Sequence, residues 1–424
     1  MTQPEQPTAL PPYRPTAFGS LKHRNFRLFI IGQFVSLCGT WIQNVAQGWL
    51  VYQLSSSAFK VGLVSSLGSL PVLGFTLYGG ALADRVNKHR WILLLQSLML
   101  IPVLGLAVMV QLNRVTVTWV AVAALVLGVL NAFEVPARQA FVVDMAGRED
   151  LMNAIALNSS IFNLSRIIGP TIAGILITTA GIALCFYANA VSFLAVVIGL
   201  LLMRMPPEPR RAPTERTGRL WDGLQYVTSE PWAKALVIIT GTLSVFGFAF
   251  LAMLPVFATE ALKTGAAGYG GMVSAVGIGA FSAAIFVAAF GHRLRRRQTI
   301  LVAGVAFGAC LIGASLSRSY LLALVLFTLA GTAMVLNNVL TNTLLQTSAP
   351  DHLRGRVMGV YSFLILGLSP FGSLQAGFVA EQVGVRAAIG GGGAICLLVT
   401  AVVAWRMSRP PRQRGEASSG DSLA

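Results

Sequence analysis

Three ionisable side chains, Glu134, Arg138 and Arg166, stand inside stretches of this sequence that are otherwise apolar. An arginine about halfway along a membrane-spanning segment costs ~2.5–3.5 kcal/mol on insertion scales, so Arg166 requires an anion or a wet cavity. Glu134 is the acid placed well inside a segment, whereas Glu260 and Glu381 fall near one set of segment ends and Asp84 and Asp144 near the other. If the fourth and fifth segments form a hairpin around Gly147, Glu134 and Arg166 differ in depth by about one helical turn, ~5.4 Å. The spacing therefore predicts that they are close enough to pair. The alternative is a pair between Glu134 and Arg138 at i, i+4, which leaves Arg166 to carbonyl groups or a substrate. A carboxylate that exchanges a cationic partner for a proton is a physical basis for proton coupling. The histidines His23, His89, His292 and His352 lie at segment ends or in loops, so a histidine relay across the membrane is not expected.

Uncharged polar residues add a second pattern. In the first segment Gln33, Ser36, Thr40, Gln43 and Gln47 step by three and four, which puts them on one helix face with Asn44 at its border. The tenth segment shows Asn338, Thr341 and Asn342 on one face, flanked by Asn337 and Gln346, and the fourth has Asn131 beside Glu134 and Arg138. The seventh contributes Thr240 and Ser244. Segments one, four, seven and ten are thus expected to line a central polar cavity, the competing reading being that the amides join helices by hydrogen bonds. Trp41, Trp49 and Tyr52 could pack an organic molecule there, and anchoring at the membrane interface accounts equally well for the last two.

The elements that must position these groups are transmembrane helices. The chain is 55% hydrophobic and 11% charged, against roughly 25% charged for a soluble protein. Twelve candidate spans begin near Phe26, Ala58, Trp91, Val115, Ala154, Gly181, Ala233, Gly268, Thr299, Tyr320, Val357 and Ala387. The net charge of +16 comes from short basic clusters between apolar runs, so it reads as topology rather than nucleic-acid binding. One side collects the cations near residues 14–27, 85–90, 138–148, 204–234, 293–297, 354–356 and 406–414; the other holds Lys60, Arg114, Lys263, Arg318 and Arg386. The positive-inside rule then sets both termini in the cytoplasm. The Pro-rich first 25 residues show no signal peptide. Cys38, Cys185, Cys310 and Cys396 occupy separate apolar segments and read as small apolar filler, with no metal site.

The fold expected is an all-α polytopic membrane protein of twelve helices in two pseudo-symmetric six-helix bundles. Its parts are a cytoplasmic tail (1–25), an N-terminal bundle (26–204), a cytoplasmic linker with an interfacial helix (205–232), a C-terminal bundle (233–406) and a second tail (407–424). In the linker, Leu220, Leu224 and Val227 beside Trp221 and Tyr226 suit a short helix at the membrane surface. The halves echo one another weakly: GREDLMNAIALNS corresponds to PDHLRGRVMGVYS, and GPTIAG to GSLQAG, at an offset of about 202 residues, as in a transporter built from repeats. Small residues at four-residue spacing mark close helix contacts: Ala58, Gly62 and Ser66; Gly169 and Ala173; Gly271, Ala275, Gly279 and Ala283; Gly372, Ala376 and Ala380. Spans two, five, eight and eleven are therefore the expected interface between halves.

After span two the sequence GGALADRVNKHR carries Gly80, Asp84, Arg85, Lys88 and Arg90. This G-x-x-x-D-R-x-x-K-x-R run, with twelve spans in two halves, resembles the loop motif of the major facilitator superfamily. The stretches FRLFIIGQFVSLCGTWIQNVAQGWLVYQLSSSAFKVGLV, NAFEVPARQAFV and RIIGPTIAGIL resemble its efflux branch, which contains the enterobactin exporter and macrolide-efflux transporters. The resemblance covers most of residues 20–405. It implies that Asp84, Arg85 and Lys88 tie span two to its neighbours and stabilise an outward-facing state. It also implies that Gly169, Pro170 and Gly174 form an antiporter signature, with Ala173 where glycine is usual. Asn87 stands where the motif has glycine, and asparagine tolerates a left-handed turn. The counterpart between spans eight and nine, GHRLRRR, keeps the glycine and cations without an acid.

The function expected is a proton-coupled exporter of a small amphipathic organic molecule in a bacterial-type inner membrane, a monomer in the bilayer that needs no cofactor beyond the proton gradient. An uptake permease and a non-transporting scaffold or sensor are the alternatives. HExxH, GxSxG and phosphate-loop sequences are absent, which argues against an enzyme and against direct ATP coupling.

Overall fold

The computed structural model describes residues 19–83, 85–204 and 220–408. Twelve of its helices are long and apolar enough to cross a membrane. In chain order they are α1 Arg24–Ser55, α2 Ala58–Thr76, α3 Lys88–Gln111, α4 Val117–Met145, α5 Asp150–Thr179, α6 Ile182–Leu201, α7 Pro231–Ala261, α8 Gly265–Arg293, α9 Arg296–Leu316, α10 Tyr320–Ser348, α11 Leu353–Val383 and α12 Val385–Ser408. Helical backbone continues beyond α2 to Ala83, and α4 and α5 belong to one helical stretch, Val117–Thr179. Among the described residues there is no strand. We call the end where α1 begins the near end and the opposite end the far end.

Side-chain caps start several spans: Thr116 accepts from Trp119 N–H and Ser319 from Leu322 N–H. The chain reverses after α5 and after α11 on a glycine with positive φ, Gly181 at +88° and Gly384 at +99°. These stand at equivalent places in the two halves, a structural trace of the repeat.

Within each half the helices approach through residues without bulk. A Cβ at Gly32 would meet the Ala195 carbonyl at 3.1 Å, joining α1 to α6, and one at Gly169 would meet the Cys38 carbonyl at 2.9 Å, joining α5 to α1. In the second half Gly393 closes on the Gly308 carbonyl at 2.8 Å, joining α12 to α9. Without a hydrophobic drive between helices in lipid, such backbone proximity carries the van der Waals packing.

Between the halves, α2 meets α11 and α5 meets α8, the pairs expected from the small-residue stripes. A Cβ at Gly377 would lie 2.9 Å from the Ala58 carbonyl and 3.1 Å from Gly62 Cα. A Cβ at Gly270 would meet the Pro170 carbonyl at 2.7 Å and Gly174 Cα at 2.9 Å, and one at Gly277 the Arg166 carbonyl at 2.8 Å. The stripe expected on α8 is shifted by a helix face. Gly279 packs against Thr328 and Gly271 against Tyr320, both on α10, so those glycines serve the inside of the second half. Gly372 likewise faces the Val245 carbonyl of α7 rather than the first half.

Polar contacts reinforce this interface toward the far end. Tyr52 donates to Glu260 Oε1 (2.7 Å), Phe59 N–H to Glu381 Oε2 (3.2 Å) and Ser274 to the Ile167 carbonyl (3.2 Å), while Thr171 and Ser274 share a hydrogen bond of 2.8 Å. Trp49 is buried and stacked on Tyr269, centroids 6.4 Å apart. Trp49 and Tyr52 thus join the halves rather than anchor the chain at the lipid interface.

The loop motif is described only in part. Asp84 lies outside the described residues. Lys88 Nζ lies 2.6 Å from Asp144 Oδ2, tying α3 to α4, and Arg85 and Arg90 are exposed. A Cβ at Gly80 would meet open space, while one at the preceding Gly79 would lie 3.0 Å from Phe133 Cα of α4. Asn87 adopts φ −66° and caps α3 by accepting from Arg90 N–H (2.9 Å), so its use is capping and not a left-handed turn. The linker helix, Leu220–Ser229, packs on the start of α11: a Cβ at Gly223 would meet the Arg356 backbone at 2.6 Å, and Tyr226 donates to the Ser348 carbonyl. The side chains of Leu220 and Trp221 lie outside the described residues. Buried Val227 turns into the protein, beside Leu236 and Val357, rather than toward lipid.

Substituting Gly377→Leu forces α11 away from Ala58 and Gly62, and overpacking of this kind costs ~1–3 kcal/mol. The expected outcome is several-fold faster labelling of a cysteine at Val61, in a cysteine-free background, by a membrane-impermeant maleimide added at the far side. An unchanged rate would show that this contact does not hold the far end closed.

Candidate functional site: a charged cavity at mid-membrane

A cavity of about 700 Å³ lies between the two halves. Of the residues expected to line it, Gln33, Ser36, Thr40, Gln43, Asn44, Gln47, Asn131 and Asn338 do so, with Glu134, Arg138 and Arg166. Thr341 and Asn342 do not: Thr341 is fully buried among helices, and Asn342 Oδ1 accepts from Gln346 one turn on. Thr240 and Ser244 of α7 are also buried away from it. A π-helical turn over Leu243–Gly247 precedes the residues that α7 does present, Phe248, Leu251 and Ala252. A further π turn, Phe363–Gly367 in α11, presents Ile365 and Leu366. Such turns rotate the register of a helix and recur at functional sites.

Helix α1 carries the polar wall, as its i, i+3, i+4 pattern requires, yet its members differ in role. Gln43 Oε1 accepts from Asn189 Nδ2 of α6 (2.5 Å), and Asn189 in turn accepts from Ser192. That amide is committed to holding α1 on α6. Thr40 returns its proton to the Ser36 carbonyl, and Asn131 to the Leu127 carbonyl. Gln33 is buried with Oε1 unpaired, and Asn44 is exposed to the cavity. Asn337 is buried and donates to the Ile300 carbonyl of α9, which makes it helix glue.

The charges are arranged by α3, α4 and α5. Glu134 and Arg166 do not pair. Arg138 Nε donates to both carboxylate oxygens of Glu134, at 3.1 and 3.3 Å, and Gln96 Nε2 of α3 donates to Oε1 at 3.2 Å. The i, i+4 spacing brings Arg138 over Glu134 with no help from tertiary structure, and it wins over the longer reach to α5. The Glu134 side chain is 4% exposed and that of Arg138 13%, so this ion pair is withdrawn from water. Among the described residues Arg166 makes no ion pair and no side-chain hydrogen bond; its guanidinium lies over the Trp41 indole, 5.8 Å from the centroid. Phe162 meets the same indole edge-on at 6.4 Å.

Three site residues carry no sequence signal that periodicity could detect. Gln96 and Asn189 are isolated amides within apolar helices, and Tyr269 is an aromatic among small residues. The clue available for Gln96 was the cost of an amide in lipid, which requires a partner.

In the antiporter-like segment, Gly169 admits Trp41 and the Cys38 carbonyl of α1, while Pro170 and Gly174 abut Gly270 of α8. The segment therefore packs one helix against both halves at once.

The family described as transmembrane secretion effector, within the major facilitator superfamily, matches residues 15–422. The chain belongs to that family. A multidrug efflux pump, Tap, of Mycolicibacterium fortuitum is 29% identical over 371 residues, covering 85% of this chain and 90% of the pump. The enterobactin exporter EntS of Citrobacter koseri is 27% identical over 344 residues, covering 80% and 81%. Among solved structures, the nucleoside transporter NupG superposes with a TM-score of 0.72 over 91% of this chain and all of its own length, at 12% identity. A bacterial homologue of the lysosomal transporter Spinster gives 0.70 over 90% and 96%, at 13% identity. At such identities the structural likeness speaks to the fold alone, and it places this family member in the major facilitator architecture.

Removing one partner of a buried ion pair leaves an uncompensated charge, at a cost of ~3–5 kcal/mol, whereas neutralising both costs much less. Arg138→Gln alone is therefore expected to lower the thermal midpoint of the purified protein in lipid nanodiscs well below that of the Glu134→Gln/Arg138→Gln double variant, with Glu134→Gln as the fourth corner of the cycle. Additive losses in the double-mutant cycle would show that the two side chains are not coupled.

Proposed function

We propose that this family member is a proton-coupled exporter of small amphipathic organic molecules, working by alternating access in the cytoplasmic membrane with both termini in the cytoplasm. The observation that carries the reading is a mid-membrane cavity whose one carboxylate, Glu134, is buried on a cation that sits on the same helix. Protonation of Glu134 frees Arg138, and that exchange is the coupling step. Relatives named as efflux pumps and exporters support the outward direction.

In this cycle the structure corresponds to the state closed at the far end, which is the extracellular side. The bundles 26–204 and 233–406 rock about the α2–α11 and α5–α8 contacts, joined by the linker 205–232. Substrate enters from the near side. Asp84, Arg85 and Lys88 of the loop motif stabilise the opposite, outward-facing state, while the Lys88–Asp144 pair already made here holds α3 to α4 within the first half. Gln33, Asn44, Gln47 and Asn338 are the amides left to meet substrate, since Gln43 and Asn131 are occupied within the protein. The chemistry is translocation; no bond of the substrate is broken.

A resistance and siderophore-secretion screen in a pump-deficient host identifies a substrate, and flux in everted vesicles then tests the direction. An imposed proton gradient is expected to drive uptake into everted vesicles, and Glu134→Gln to reduce that driven flux by tenfold or more while gradient-independent exchange persists. Flux in the reverse direction would instead identify a permease, and full transport by Glu134→Gln would remove this carboxylate from coupling.

A further inference from the structure

The charges around the cavity do not cancel. Arg138 and Glu134 neutralise one another, and the same wall carries Arg166, whose five N–H donors meet no acceptor among the described residues. A guanidinium at mid-membrane depth is costly unless an anion or water answers it. The helix environment supplies neither: α5 is helical on both sides of Arg166, its carbonyl is packed against Gly277 of α8, and its guanidinium is held over Trp41 beside Phe162. The one carboxylate within the cavity is already engaged on both oxygens.

The second half contributes a wall of different character. Phe248, Leu251, Val273, Met334 and Leu366 face the cavity with the uncharged Asn338, Ser369 and Ser373, and among the described residues no charged side chain from that half does. A bound molecule therefore meets one unpaired positive charge on the first half and an uncharged, mainly apolar surface on the second.

From this we infer that the exporter's cargo is anionic: a molecule with a carboxylate or similarly delocalised acidic group that docks on the Arg166 guanidinium beside Trp41, and an apolar body laid against the α7, α8 and α10 wall. This inference rests on the transport reading for its physiological meaning and names the substrate class of the same cavity. The planar guanidinium suits such a group because it can offer two parallel N–H donors. A cationic amphiphile meets Arg166 and Arg138 on the polar wall, with Glu134 already paired, and is disfavoured. The cavity volume of about 700 Å³ falls within the ~300–1,000 Å³ of small-molecule sites. Binding across the two halves also gives the cargo a direct hold on the elements that move.

The test measures equilibrium binding to the full chain in phosphatidylcholine nanodiscs, with no proton gradient and with partition into empty nanodiscs subtracted. The probes are 2-naphthylacetate, its neutral amide and 2-(2-naphthyl)ethylammonium. The anion is expected to bind about tenfold or more tighter than the amide, and the ammonium more weakly than both. Arg166→Gln is expected to erase the preference for the anion and Arg166→Lys to keep part of it. Equal binding of anion and amide to the unaltered protein would overturn the assignment, whether or not Arg166→Gln folds; so would a preference that survives Arg166→Gln. Loss of 2-naphthylacetate binding in phosphatidylglycerol nanodiscs that persists at high salt, where surface repulsion is screened, would assign the site to a lipid headgroup and equally overturn it. Because binding is measured with no proton gradient, a failure of the coupling scheme leaves this result untouched, so that failure and failure of this inference give different results.

Discussion

A carboxylate at mid-membrane depth has few ways to remain charged, and the arrangement around Glu134 follows from that constraint. Arg138 lies one turn away on the same helix and covers both oxygens, and Gln96 of α3 adds a donor from the neighbouring helix. A charge pair so placed needs its surroundings fixed, because the interior offers no solvent to replace a lost partner. The glycine contacts that seat α4 on α2 and α5 on α1 provide that fixity, with Gly79 against Phe133 and Gly169 against Cys38. Because Arg138 answers Glu134 locally, Arg166 is left facing the cavity, and the site acquires its net positive character.

The two halves share a plan and divide the work. Their repeats are visible in the paired turns at Gly181 and Gly384. The first half bears the charges and most of the amides, while the second bears an apolar wall and, in α7 and α11, the π turns that aim it. At the far end the second half supplies the acceptors, Glu260 and Glu381, and the first supplies Tyr52 and the Phe59 N–H. Arg386 steadies the same end from within the second half by donating to the Ser315, Ser317 and Ala261 carbonyls. Closure there rests on a few polar contacts, on bare backbone approach and on an apolar cluster shared by the two halves, with Trp49 against Tyr269.

Much of this was legible in the sequence. Span starts agree closely, the widest differences being Ala154 against Asp150 and Val357 against Leu353, because twenty apolar residues leave little freedom in a bilayer. The polar face of α1 was legible because five residues share one helical period. The direction of a glycine was not: on α8 both the Gly271/Gly279 and the Gly270/Gly277 faces are small, and which neighbour each meets depends on helix rotation. The pairing of Glu134 failed for a related reason, since depth alone allowed Arg166, whereas i, i+4 proximity on one helix required no tertiary agreement. Thr341 and Asn342 share a face with Asn338 in sequence, yet only Asn338 reaches the cavity.

The central claim is that the halves exchange closure between the two ends of one cavity. Its most direct test is electron–electron double resonance on nitroxides placed, in a cysteine-free background, at Lys60 and Gln382 for the far end and at Arg90 and Arg293 for the near end. Adding a transported substrate or lowering the pH should lengthen the first distance while shortening the second. Both distances changing in the same sense, or neither changing in a protein shown to transport, would contradict alternating access about the α2–α11 and α5–α8 contacts.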